Sequence, residues 1–155
     1  MKKLLVLFVS AFCVLSNLNG VLALNNFNRI EFVEEVFEDG SYIETTIEQN
    51  CSYRRASTTS GSKTSTYKDS NNKILWSVKV SGSFTYTGSS ATCTGSSIST
   101  TCPDSMWKLS NKRASRSGAS AIASVTAKEY TFLGICAKTV EKTVKLSCST
   151  GGKLS

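Results

Sequence analysis

Among its 155 residues the chain has no histidine and one proline, Pro103. The missing imidazole excludes Ser-His-Asp and Cys-His nucleophilic arrangements, in which histidine carries the proton. It also removes a principal zinc ligand, and the six cysteines contain no CxxC pair to anchor one. Acids are scarce after residue 50: only Asp69, Asp104, Glu129 and Glu141. A glycosidase needs two carboxyl groups facing each other at about 5–10 Å. Here Asp69 and Asp104 fall in apparent turns, and strand alternation places Glu141 on a wet face. No aromatic residue is interleaved with the basic clusters, which argues against a nucleic-acid groove. These absences predict a protein that is not an enzyme, holds no metal and needs no small-molecule cofactor.

Long apolar runs are also missing, except near the N-terminus. Lys2 and Lys3 precede the apolar stretch Leu4–Leu15, and Val21-Leu22-Ala23 supplies small residues for cleavage. The run is too short to span ~30 Å of hydrocarbon, which takes about 20 residues. Residues 1–23 therefore read as a secretory signal, and the expected location is secreted, extracellular. Phe12 before Cys13 does not match a lipoprotein site. Removal of the signal leaves 132 residues, enough for one domain with its own core.

What the chain does have is hydroxyls and alternation. Serine and threonine make up 43 residues. In "ILWSVKVSGSFTYTG", residues 74–88, Ile74, Trp76, Val78, Val80, Phe84 and Tyr86 share one parity and polar residues dominate the other. Near the C-terminus Val140, Val144, Leu146 and Cys148 oppose Thr139, Glu141, Thr143, Lys145 and Ser147. Each strand has a greasy side and a wet side, and two such faces bury each other in layers ~10 Å apart. Short strands punctuated by turn residues complete the pattern. The expected fold is all-β, an antiparallel β-sandwich, with Trp76, Phe84, Tyr86 and Trp107 filling the core. Strands are expected to begin near Thr64–Tyr67, with breaks around 88–90 and 95. "NKRASRSG", residues 111–118, reads as an exposed basic loop.

Charge divides the mature chain. Residues 24–50 carry seven acids against Arg29, a net of −6, while 51–155 carry 15 bases against four acids, a net of +11. This predicts an acidic N-terminal segment, 24–55, and a basic domain, 56–155. Asp39-Gly40 between two partly alternating runs signals a hairpin, and the alternative is a flexible arm. Arg54-Arg55 marks a candidate processing site. A cut there would remove the odd Cys51 and release a cationic domain with four cysteines. If Cys51 is retained, it is free or links two chains as a dimer.

Cys93, Trp107 and Cys148 are spaced in a way that is similar to the immunoglobulin arrangement, where a tryptophan packs on an inter-sheet disulfide. Leu146 stands where that family has a tyrosine. The resemblance implies a Cys93–Cys148 bridge, leaving Cys102 and Cys136 as a second pair if Cys51 is excluded. Four cysteines allow three pairings, and sequence alone does not choose. Over residues 56–155 the stretches "ILWSVKVSGSFTYTG", "WKLSNKRASRSG" and "KTVKLSCSTGGKLS" also resemble a group of small exported all-β proteins of Gram-positive bacteria. That group has no assigned activity, so the likeness implies an exported β domain and no catalytic residue.

The candidate binding residues are Lys108, Lys112, Arg113 and Arg116, four bases within nine positions. Arg54, Arg55, Lys142 and Lys145 extend the field. Outside a cell such a cluster suits an anionic cell-wall polymer or membrane surface. Two functions follow: a secreted non-catalytic module that binds an anionic surface or a protein partner, or a cationic toxin-like effector freed from its acidic segment.

Overall fold

In the computed structural model, residues 27–50 and 57–155 are described, and they form eight strands and no helix. The predicted signal 1–23, Cys51, Arg54 and Arg55 lie outside the described residues. The strands are β1 (Phe27–Val36), β2 (Tyr42–Asn50), β3 (Thr58–Lys68), β4 (Ile74–Tyr86), β5 (Ala91–Thr101), β6 (Trp107–Ser117), β7 (Ser120–Tyr130) and β8 (Cys136–Ser147). They make two antiparallel sheets, β1-β2-β3-β4-β5 and β6-β7-β8, each in chain order. The expected two-layer sandwich is therefore present, built from two consecutive meanders.

Alternation places the core where the sequence pattern put it. Trp76, Val78, Val80 and Phe84 of β4 face Ala121, Ala123, Val125 and Ala127 of β7, with Val144 and Leu146 of β8, and all are buried. Tyr67 of β3 joins them, stacked on Trp76 at 5.2 Å between ring centroids. Trp107 meets both rings, 5.3 Å from Tyr67 and 6.1 Å from Trp76. The alanines of β7 are what let these large rings fit between the layers. Tyr86 is only partly buried, and it lies against Gly152, where any side chain would strike its ring.

Within the acidic segment, residues 27–50 form the expected hairpin. β1 and β2 pair around the Asp39-Gly40 turn, and β2 pairs with β3 along its whole length. Ile43 and Ile47 enter the core. Their strands overhang the narrower sheet, and lysines of β8 close the gap. Lys142 Nζ donates to Glu34 Oε1 at 2.8 Å, and Lys138 Nζ donates to Asp39 Oδ2 at 2.9 Å and to the Tyr67 hydroxyl at 2.6 Å. The charge division along the sequence is thus a division across this seam. The C-terminal tail locks it further: Gln49 Nε2 donates to the Gly152 carbonyl at 2.7 Å, and Leu154 is buried. Leu154 sits against Gly61, where an added Cβ would collide with Leu154 Cδ1 and with the Glu48 carbonyl.

Several sequence-based expectations need correction. β3 starts at Thr58, because paired Ser and Thr side chains on an outer face read as linker. β5 runs unbroken from Ala91 to Thr101. Residues 111–117 belong to strand β6 rather than to a loop. β6 is an edge strand whose outer half is exposed on both faces, so it lacks the apolar alternation that marks a strand. It also carries a bulge at Asn111 and Lys112, with Asn111 at φ 53°, which shifts the register between Ser110 and Arg113.

The cysteine expectations change too: Cys93, Cys102, Cys136 and Cys148 are all free thiols. Cys93 and Cys148 do come together, their amides donating to the adjacent Gly118 and Ala119 carbonyls at 2.9 Å each. However, their thiols turn to backbone carbonyls, Gly95 at 3.2 Å and Ser149 at 3.4 Å, rather than to each other. Cys102 Sγ rests on the Trp107 carbonyl at 3.3 Å, and β7 lies between that point and Cys136. Two strand spacings are about 10 Å, beyond disulfide reach. Trp107 is at the far end of the sandwich from Cys93 and Cys148, so the immunoglobulin-like packing of a tryptophan on a disulfide is absent.

Candidate functional site

The four predicted binding residues all lie on β6, and the structure separates them. Lys108 and Arg113 face outward from the three-stranded sheet, as their pairing with Lys128 and Ser124 shows. Arg116 is on the opposite parity, and its Nη1 donates to the Thr94 carbonyl of β5 at 2.5 Å. It ties the two sheets together. Lys112 sits in the bulge, on the side near Cys102.

Lys142 also leaves the candidate site. It shares the inward parity of Val144 and is only 8% exposed. Its partner Glu34 accepts a second bond from Thr45 Oγ1 at 2.6 Å. Burial pushes the Glu34 carboxyl up, but these two donors outweigh it and the net shift is down. Lys63, across the same seam, is pushed down chiefly by burial. These are structural charges.

Other cations replace them. The outer face of the three-stranded sheet carries Lys108 and Arg113 from β6, Lys128 from β7 and Lys145 from β8. Glu141 is the single acid on this face. None of the four cations forms an ion pair among the described residues. Lys108 and Lys128 are direct cross-strand partners. Like charges in that position destabilise a sheet. Lys108 is held over the Tyr130 ring at 5.1 Å, a contact that offsets part of this repulsion. Sequence reading found Lys108, Arg113 and Lys145 but missed Lys128, because its place depends on register.

The five-stranded sheet presents a different outer face. A shallow groove of about 520 Å3 crosses it, lined by Ser60, Ser62, Ser81, Ser83 and Ser97 and flanked by Glu48 and Lys79. Its charges pair with each other: Lys79 with Glu48 at 3.4 Å, Arg29 with Glu48 at 3.5 Å, Lys68 with Glu44 at 3.0 Å.

Among the described residues no group of three or more His, Cys, Asp or Glu side chains could hold a metal ion. Glu129 and Glu141 lie on opposite faces of their sheet, paired with Trp107 and Lys138 and with Thr126 respectively.

Fold and site together define a two-sheet antiparallel β-sandwich with one cationic outer face. Comparison with protein-family models, curated proteins and solved structures finds no match to the chain.

Proposed function

We propose that this protein is a secreted, non-catalytic β-sandwich that binds an anionic surface through the outer face of β6, β7 and β8. The observation that carries this reading is the set Lys108, Arg113, Lys128 and Lys145: four outward cations without ion pairs among the described residues, two of them directly opposed. A sheet selected for stability alone would separate Lys108 from Lys128 or set an acid between them. Cations retained against local stability fit an anionic partner that supplies the missing counter-charge. The expected secretion signal places that partner outside the cell. Glu129 and Glu141 cannot face each other, which favours binding over hydrolysis.

Retention of the full chain on a polyanionic matrix in a salt gradient tests this. The wild type is expected to elute at high salt, because exposed charges are screened within about 10 Å at 0.1 M salt. Replacing Lys108, Arg113, Lys128 and Lys145 with glutamine should move elution to low salt. Replacing Arg29, Lys68 and Lys79 should leave it nearly unchanged. Equal effects from the two sets would overturn the proposal, since net charge alone would then account for retention.

A further inference from the structure

The β7–β8 turn places three apolar side chains in water. Phe132 is 88% exposed, Leu133 69% and Ile135 62%. The turn itself is well held. The Thr131 amide donates to the Ile135 carbonyl at 2.8 Å and the Gly134 amide to the Thr131 carbonyl at 2.9 Å. Gly134 takes φ 77°, a conformation that suits glycine. With the backbone closed this way, the side chains of 132, 133 and 135 project beyond the sheet. Met106, also exposed, is next to them, because the Tyr130 amide donates to its carbonyl at 2.8 Å.

This tip adjoins the cationic face. Tyr130 starts the turn, and its ring carries Lys108. Lys128, two residues before Tyr130, shares the same outward face. An aromatic ring and two lysines therefore lie directly behind the apolar tip. Of the aspartates at this end of the sandwich, Asp39 pairs with Lys138, Asp104 pairs with Lys73 at 2.6 Å, and Asp69 accepts the Asn71 and Lys73 amides within its own turn. Glu129 is on the inward parity. Glu38, the exposed acid of the β1–β2 turn, belongs to the other sheet.

A clustered apolar tip exposed to water marks a contact surface. An apolar tip backed by an aromatic residue and cations matches the layering of a lipid interface: acyl chains, then the amphipathic boundary, then anionic headgroups. We propose that Phe132, Leu133 and Ile135 insert into an anionic lipid membrane while Lys108 and Lys128 engage its headgroups. This rests on the anionic-surface reading and assigns the surface to lipid.

The test uses the full chain, with vesicles of phosphatidylcholine alone or mixed with phosphatidylglycerol. Wild type should co-sediment with the mixed vesicles and hardly with the neutral ones. Phe132→Ser/Leu133→Ser/Ile135→Ser should bind the mixed vesicles roughly tenfold or more weakly, through lost apolar burial. Replacing Lys108, Arg113, Lys128 and Lys145 with glutamine should weaken binding on the order of 100-fold. Phe132→Trp reads insertion directly, since Trp76 and Trp107 are buried and give a fixed background. Its emission should shift to the blue and be quenched by brominated acyl chains. An unquenched Phe132→Trp, with the triple serine variant binding like wild type, would overturn insertion and leave the anionic-surface reading intact. Binding to a soluble polyanion but to no vesicle would likewise overturn the lipid assignment alone. Failure to bind any polyanion would remove both readings.

Discussion

The outer faces of the two sheets hold similar numbers of cations and use them in opposite ways. On the five-stranded sheet Arg29, Lys68 and Lys79 each reach a glutamate of the β2 strand. On the three-stranded sheet Lys108, Arg113, Lys128 and Lys145 reach no acid among the described residues. The difference follows from the N-terminal hairpin. It adds its acids to one sheet, and through Glu34 and Asp39 it also occupies Lys142 and Lys138 on the inward side of β8. What is left in excess is the positive charge on the outward side of the smaller sheet, where Glu141 is the one acid beside four cations. Charge that is internally matched stabilises the fold, and charge that is left over is available to a partner.

The aromatic residues give the largest test of this division. Trp76→Ala should destabilise the protein by about 3–5 kcal/mol, as expected for removing a fully buried indole. Phe132→Ser should change stability by no more than about 0.5 kcal/mol. Chemical denaturation of both variants checks this. A costly Phe132→Ser would mean that the tip supports the core and is not reserved for contact.

The lysines of β8 test the same division within one strand. Lys142→Ala removes a charged donor from Glu34 at the seam and should cost about 1.5–3 kcal/mol. Lys145→Ala, three residues on and on the outward face, should stay within about 0.5 kcal/mol. Similar losses at both positions would show that the outward cations are structural as well.

Acid should weaken the hairpin seam. The Ser41 hydroxyl and then Lys138 hold the Asp39 carboxyl down at about 2, from an ordinary 3.8. A carboxyl whose folded value is depressed stabilises above the unfolded value, and the contribution fades as pH falls from about 4 toward 2. Asp39 is exposed, so screening limits the effect to about 0.5–1 kcal/mol. Unfolding of wild type and Asp39→Asn should therefore differ at neutral pH and converge near pH 2. A difference that persists at pH 2 would mean that Asp39 acts through its turn geometry and not its charge.

Legibility in the sequence followed burial. The β4 and β8 strands were readable because one side of each faces the core, and their alternation gave Trp76, Phe84, Val144 and Leu146 correctly. β6 and the first half of β3 were not readable as strands. Their exposed or hydroxyl-bearing faces lack the contrast that period-two reading depends on. The candidate site was only half legible. Proximity in sequence grouped Lys108, Lys112, Arg113 and Arg116, but the bulge at Asn111 sends Arg116 inward to Thr94. Lys128 joins Lys108 only through strand register. The inward turn of Lys142 could have been suspected, because it shares parity with Val140 and Val144. The apolar turn at 132–135 was visible as letters, but its exposure required the hairpin to be built.

The smallest expected effect is the most discriminating, because its two readouts should move in opposite directions. Lys128 stands directly opposite Lys108 and has no ion-pair partner among the described residues. Removing one of two opposed like charges relieves a repulsion of about 0.2–1 kcal/mol, and threonine suits a strand position. Lys128→Thr should therefore raise stability by a few tenths of a kcal/mol. Lys108 is kept in this test because its contact with the Tyr130 ring would confound the result. The same substitution removes a cation from the proposed contact face, so affinity for anionic vesicles should fall by about fivefold. A fold that keeps a destabilising lysine where threonine would serve better is retaining it for something other than folding. If Lys128→Thr lowers stability instead, Lys128 supports the sheet, and the contrast between the two outer faces loses its central residue.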